Sequence, residues 1–129
     1  MIALATTTAG TFAVDLESGE VAPAEPFEPA HRPALNLPRV VAAAESGSTV
    51  IAVVDARPPM LVSHDTGATW RESGRGLPPG VAVAAAGWNP DTLLYAARNR
   101  LYLSLDGGVF WTAIDAELPE IDAVALREA

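Results

Sequence analysis

The side chains best suited to chemistry in this sequence are its arginines. All eight basic residues are Arg and none is Lys. Arg57, Arg75, Arg98 and Arg100, the last two flanking Asn99, fall in turn-like segments between apolar runs. A guanidinium presents a planar fork that grips a carboxylate, phosphate or sulfate through two parallel hydrogen bonds, so converging arginines make an anion site. The competing reading is that turn arginines are solvated or paired with some of the sixteen acidic residues, which is common and contributes little. Glycoside hydrolysis would need two carboxylates at a set separation. Asp15, Asp55, Asp115 and Glu117 supply candidates, but spacing along the chain selects no pair. His31 and His64 are the only histidines, and neither has a partner at ligand spacing, so no metal site is expected. The absence of Cys excludes disulfides, thiolate metal sites and a Cys nucleophile. No phosphate-binding loop, nucleophile elbow or zinc-protease signature is present. No catalytic residue, metal or cofactor is therefore assigned.

Two octapeptides organise the elements that must position these side chains. Ser63-His64-Asp65-Thr66-Gly67-Ala68-Thr69-Trp70 and Ser104-Leu105-Asp106-Gly107-Gly108-Val109-Phe110-Trp111 share the pattern S-x-D-x-G-x-x-W and start 41 residues apart. Each follows a short apolar run, Met60-Leu61-Val62 or Leu101-Tyr102-Leu103. The physical reading is a β-hairpin turn. The Asp carboxylate accepts backbone N–H groups of the turn and Ser braces it. Gly67 and Gly108 take the positive-φ position, and Trp70 and Trp111 open the return strand and pack inward.

The octapeptides resemble the Asp-box, or BNR repeat, of sialidase-like β-propellers. Gly76-Leu77-Pro78-Pro79, the apolar run from Val81 to Trp88, and Asn89-Pro90-Asp91-Thr92-Leu93-Leu94-Tyr95-Ala96 resemble the family's stretch between boxes. The resemblance implies a structural box between the third and fourth strands of a blade, so Ser63, Asp65, Gly67, Trp70, Ser104, Asp106, Gly108 and Trp111 are given structural roles. Sialidase chemistry would further need an arginine triad, a Tyr–Glu pair and an acid/base Asp. Tyr95 and Tyr102 fall inside strands, and no such constellation is apparent.

The expected fold is all-β: a propeller of four-stranded antiparallel blades, three per chain. Aligning Val14 with Ser63 and Ser104 makes the first repeat a decayed one that lacks the box Asp and Trp. Blade-sized repeats span about 1–39, 40–80 and 81–120 within a single half-propeller domain of residues 1–129, and 121–129 supply a closing strand. The second repeat reads as strands at Val40–Ala44, Thr49–Asp55, Met60–His64 and Thr69–Glu72. The third reads as strands at Val81–Gly87, Thr92–Ala97, Leu101–Leu105 and Phe110–Ile114, with Asn89-Pro90-Asp91 and Arg98-Asn99-Arg100 as turns. Residues from Pro23 to Pro38 hold five of the eleven prolines and read as a loop with a short outer strand. Propellers have about four to eight blades, so a homodimer closing a six-bladed ring is expected, with Ile121–Leu126 of one chain on Ile2–Thr8 of the other. A trimer, or a piece of a longer propeller, is the alternative.

On the resemblance, ligands sit at the face opposite the boxes. That face collects Thr6, Thr7, Thr8, His31, Arg32, Arg57, Arg75, Arg98, Asn99 and Arg100. Of the aromatic residues, Trp88 has the best prospect of exposure. The formal charge of −8 argues against nucleic-acid and anionic-membrane partners. The start of the sequence lacks a basic leader and no long apolar run follows, so a cytoplasmic protein is expected. The functional expectation is a non-catalytic scaffold or binding module for a protein or small anionic ligand, with an Asp-box glycoside hydrolase or lyase-like enzyme as the alternative.

Overall fold

The computed structural model describes residues 1–128, and its regular structure is entirely β. Twelve strands form three four-stranded antiparallel sheets. The second sheet runs in order through β4 (Val40–Ser46), β5 (Thr49–Val54), β6 (Met60–Ser63) and β7 (Arg71–Ser73). The third likewise holds β8 (Ala82–Ala86), β9 (Asn89–Ala97), β10 (Arg100–Ser104) and β11 (Thr112–Ala113). The first sheet joins the two ends of the chain: β12 (Ile121–Arg127) lies beside β1 (Ile2–Thr7), followed by β2 (Gly10–Asp15) and β3 (Val21–Pro23). The fold is propeller-like, each sheet being blade-sized with a very short outer strand.

The side chains explain the stacking. Ile51, Val53, Met60 and Val62 of the second sheet meet Val83, Leu93 and Tyr95 of the third in one apolar layer. The other face of the third sheet, with Ala82, Ala84, Leu94 and Ala96, meets Ala3, Ala5, Val14 and Val124 of the first. Alternation at period two gives each strand of the third sheet one set of residues per layer. The third sheet is therefore the middle of the stack. Its inner strand β8 packs against both β4 and β12, which make no comparable contact with each other. Small residues such as Ala82, Ala84 and Ala86 line this inner region, where large side chains would hold the sheets apart.

One expectation is corrected here. The sequence reading places the partner of 121–126 on a second chain, whereas β12 lies on β1 of its own chain, from Ile2 opposite Arg127 to Thr7 opposite Ile121. The connection between β3 and β4 permits this. Residues 24–39 supply sixteen positions, against eight between β7 and β8 and seven between β11 and β12. In extended, proline-rich form a chain of that length reaches about 50 Å, at ~3.1 Å per residue. The strap thus returns from the first sheet to the second, which lies on the far side of the third. Its Pro33, Leu35 and Leu37 are half-buried while Ala34, Asn36 and Pro38 between them are exposed, as an extended segment with one side laid down would be. Arg32 holds it in place by donating to the carbonyls of Val40, at 3.0 Å, and Val41, at 3.4 Å.

A smaller difference concerns Asn89-Pro90-Asp91, read as a turn. These residues form the start of β9, where the register with β8 shifts between Ala85 and Ala86. The shift absorbs the irregular residues without ending the strand.

Candidate functional site

The octapeptides close their hairpins as the residue types require. Ser63 Oγ donates to Asp65 Oδ1 at 2.7 Å and accepts the Gly67 N–H at 2.7 Å. Asp65 then accepts the Thr69 N–H at 2.8 Å and the Thr69 hydroxyl at 2.6 Å. The second copy repeats the pattern through Ser104, Asp106, Gly108 and Phe110, with bonds of 2.8, 2.9 and 3.0 Å. Gly67 and Gly108 both have positive φ, at 88° and 91°. Hydrogen bonds to the ionised carboxylate favour the charged form. The Thr69 hydroxyl and amide, with Ser63, hold Asp65 down to about 2, and the Phe110 amide and Ser104 hydroxyl lower Asp106. The first repeat lacks the box but keeps its function one position earlier. Asp15 accepts the Glu17 and Ser18 amides and is lowered by them. These three carboxylates are occupied in closing turns.

Trp111 packs against Tyr95 with ring centroids 6.0 Å apart, and its indole N–H donates to Ser73 Oγ in the second sheet at 2.9 Å. Ser73 in turn donates to the Gly108 carbonyl. This turn is therefore bolted to the neighbouring sheet. Trp70 occupies the equivalent position in the second sheet, beyond which no further sheet stacks. It is half-buried, and among the described residues its indole N–H makes no hydrogen bond.

The candidate arginines separate into two groups. Arg98 and Asn99 form the β9–β10 turn, and their carbonyls accept the Ile121 amide at 2.6 Å and the Leu118 amide at 3.3 Å. That turn braces the crossover into β12. Arg100 pairs with Glu117 at 3.6 Å. Arg57 and Arg75 instead line a single cleft of about 560 Å³, walled by the pairs Pro58–Pro59 and Pro78–Pro79 with Leu77. Arg75 lies 3.9 Å from Glu72, both side chains largely exposed. The sequence signal for this cleft is its two proline pairs, of which Pro78–Pro79 enters the sequence reading only as part of the stretch between boxes.

Other candidates take different places. Thr7 is used locally: its hydroxyl donates to the Gly10 carbonyl at 2.7 Å and accepts the Ala9 amide at 3.1 Å. Thr6 is half-buried and Thr8 exposed. His31 and Arg32 border a second cavity of about 410 Å³, whose other walls are β4, β8 and β12. Among the candidate acids, Asp15 caps a turn and Glu117 pairs with Arg100. Asp55 and Asp115 are exposed. His64 Nδ1 lies 3.2 Å from Thr49 Oγ1. Trp88 is exposed, and Leu105, Val109 and Phe110 form a more exposed apolar tip on the second octapeptide, Phe110 reaching 75%. Burial drives the Tyr95 phenol well above its ordinary range, and its hydroxyl donates to the Pro78 carbonyl. Tyr95 is thus a buried structural donor.

No protein-family model matches this chain, and no curated protein matches it. The solved structure of a GH74 enzyme from Niastella koreensis is similar over 87% of this chain, at 22% identity and a TM-score of 0.46. The chain spans 17% of the length of that protein. No helix among the described residues is long and apolar enough to cross a membrane.

Proposed function

We propose that the chain is a non-catalytic binding scaffold: half of a six-bladed propeller, completed by a second copy, that holds a protein or a small anionic ligand at its mouth. The observation that carries this reading is the incomplete stack. β4, β8 and β12 line one cavity, yet β4 and β12 make no contact across it comparable to the packing of each on β8. Propellers have about four to eight blades, so three blade-sized sheets make an arc that a two-fold pair extends into a ring. Trp70 supports the same reading, because its counterpart Trp111 finds a neighbouring sheet and Trp70 has none. The binding role rests on Arg57 and Arg75 facing one cleft, while the acids with shifted pKa values are engaged in turns.

Light scattering after size exclusion, over a dilution series, tests the assembly. The expected outcome is a mass of twice 13.4 kDa that persists on dilution. A folded species at 13.4 kDa throughout would rule the ring out.

A further inference from the structure

We propose that the cleft between Arg57 and Arg75 binds a small organic monocarboxylate with a flat, apolar body. The proposal deepens the binding-scaffold reading and rests on it. The two arginines reach the cleft from different connections, Arg57 between β5 and β6 and Arg75 between β7 and β8. In a chain of net charge −8, two arginines lining one cavity are a local departure from the whole. Each presents a fork matched to a carboxylate.

The walls define the rest of the ligand. Pro58, Pro59, Pro78 and Pro79 present rigid rings and no backbone N–H, and Leu77 adds an apolar side chain. A flat hydrocarbon body suits such a surface better than a polar one. The volume, about 560 Å³, lies within the usual range for small-molecule sites, about 300–1,000 Å³. Both loops are anchored before any ligand arrives. The Tyr95 hydroxyl and the Leu77 amide fix the 74–78 segment, donating to the Pro78 and Gly74 carbonyls, and the Val54 amide donates to the Pro59 carbonyl. Such anchoring limits the ordering entropy that binding would otherwise consume.

The chain's net charge of −8 favours a single carboxylate over a dianion. Glu72 lies 3.9 Å from Arg75. The Glu72–Arg75 contact is itself too long for a good hydrogen bond and is solvent-screened, so it competes weakly for the guanidinium.

The test is a titration of the intact chain with benzoate, benzamide and acetate, followed by amide chemical shifts. Benzoate should give saturable shifts at Gly76 and Leu77. Benzamide, which lacks the charge, and acetate, which lacks the ring, should each bind at least about tenfold more weakly. Arg57→Gln and Arg75→Gln should each weaken benzoate by about tenfold or more while leaving the rest of the spectrum in place. Arg75→Lys should also weaken it, because the charge remains but the fork is lost. Absence of saturable shifts with benzoate, equal binding of benzamide, or unchanged affinity in both Gln variants would overturn the proposal. The outcomes for ring and cleft separate cleanly. A monomer that binds benzoate loses only the ring, and a dimer indifferent to benzoate loses only the site.

Discussion

At the scale of single residues, the octapeptide carboxylates show how a catalytic-looking residue type becomes structural. Asp65 is exposed, yet its acidity is shifted because the Thr69 hydroxyl and amide and the Ser63 hydroxyl all donate to it. Its folded pKa, about 2, lies below the ordinary 3.8. A depressed carboxylate contributes stability that is present above the unfolded value and is lost as pH falls through the folded one. The urea midpoint should therefore drop between about pH 4 and pH 2, and Asp65→Asn should flatten that part of the profile; superimposable profiles would show that the charge on Asp65 contributes nothing. Gly80 makes a second residue-scale case. A Cβ there would overlap the Tyr95 ring at Cε1 and crowd its hydroxyl oxygen, and Tyr95 is fully buried. Gly80→Ala should lower stability by about 1–3 kcal/mol, the usual range for overpacking. Gly87→Ala, where a Cβ would meet nothing within 4 Å, is the control and should stay within about 0.5 kcal/mol of the parent in the same urea titration.

At the scale of elements, most of the strands were legible because apolar alternation and turn residues agree. Val40–Ala44, Thr49–Asp55 and Met60–His64 were read from the sequence, and the strands run Val40–Ser46, Thr49–Val54 and Met60–Ser63. Outer strands were harder. The sequence reads Phe110–Ile114 as a strand, whereas β11 is confined to Thr112–Ala113, with the Ile114 amide still donating to the Leu101 carbonyl; Phe110 donates its amide to Asp106 and belongs to the turn. The cleft was less legible than the strands. Arg57, Arg75 and Arg98–Arg100 look alike in sequence, and only the packing shows that two share a cavity while the others brace a crossover. Arg98 has a φ of +41°, which is strained for a residue with a Cβ and worse for a β-branched one. Arg98→Gly should thus be tolerated within about 1 kcal/mol, glycine's entropy loss offsetting the relieved strain. Arg98→Val should destabilise by about 1–2 kcal/mol. Equal urea midpoints for the two variants would show that the turn can relax away from positive φ.

At the scale of the whole molecule, the order of the sheets follows from where β12 lies. Were it on a partner's β1, the first sheet would follow the partner's third sheet, and a short connection would carry β3 to β4. On its own β1, it makes the third sheet central and gives the long strap a purpose: returning the chain to β4 past the cavity that Pro29 to Arg32 border. Both arrangements use the same register, and both are compatible with a two-fold ring, so mass alone does not distinguish them. Covalent trapping does. The chain has no cysteine, so a pair placed at Leu4 and Ala125, which are register partners on β1 and β12, has no competitor. Both residues are half-buried and alternate with Ala3, Ala5 and Val124 of the layer shared with the third sheet, so replacement spares that layer. Oxidised Leu4→Cys/Ala125→Cys protein should run as a single chain on a non-reducing denaturing gel, even if its native mass is dimeric. A covalent dimer on that gel would move β12 onto the partner and reverse the order of the sheets, because the strand can pair with only one β1 at a time.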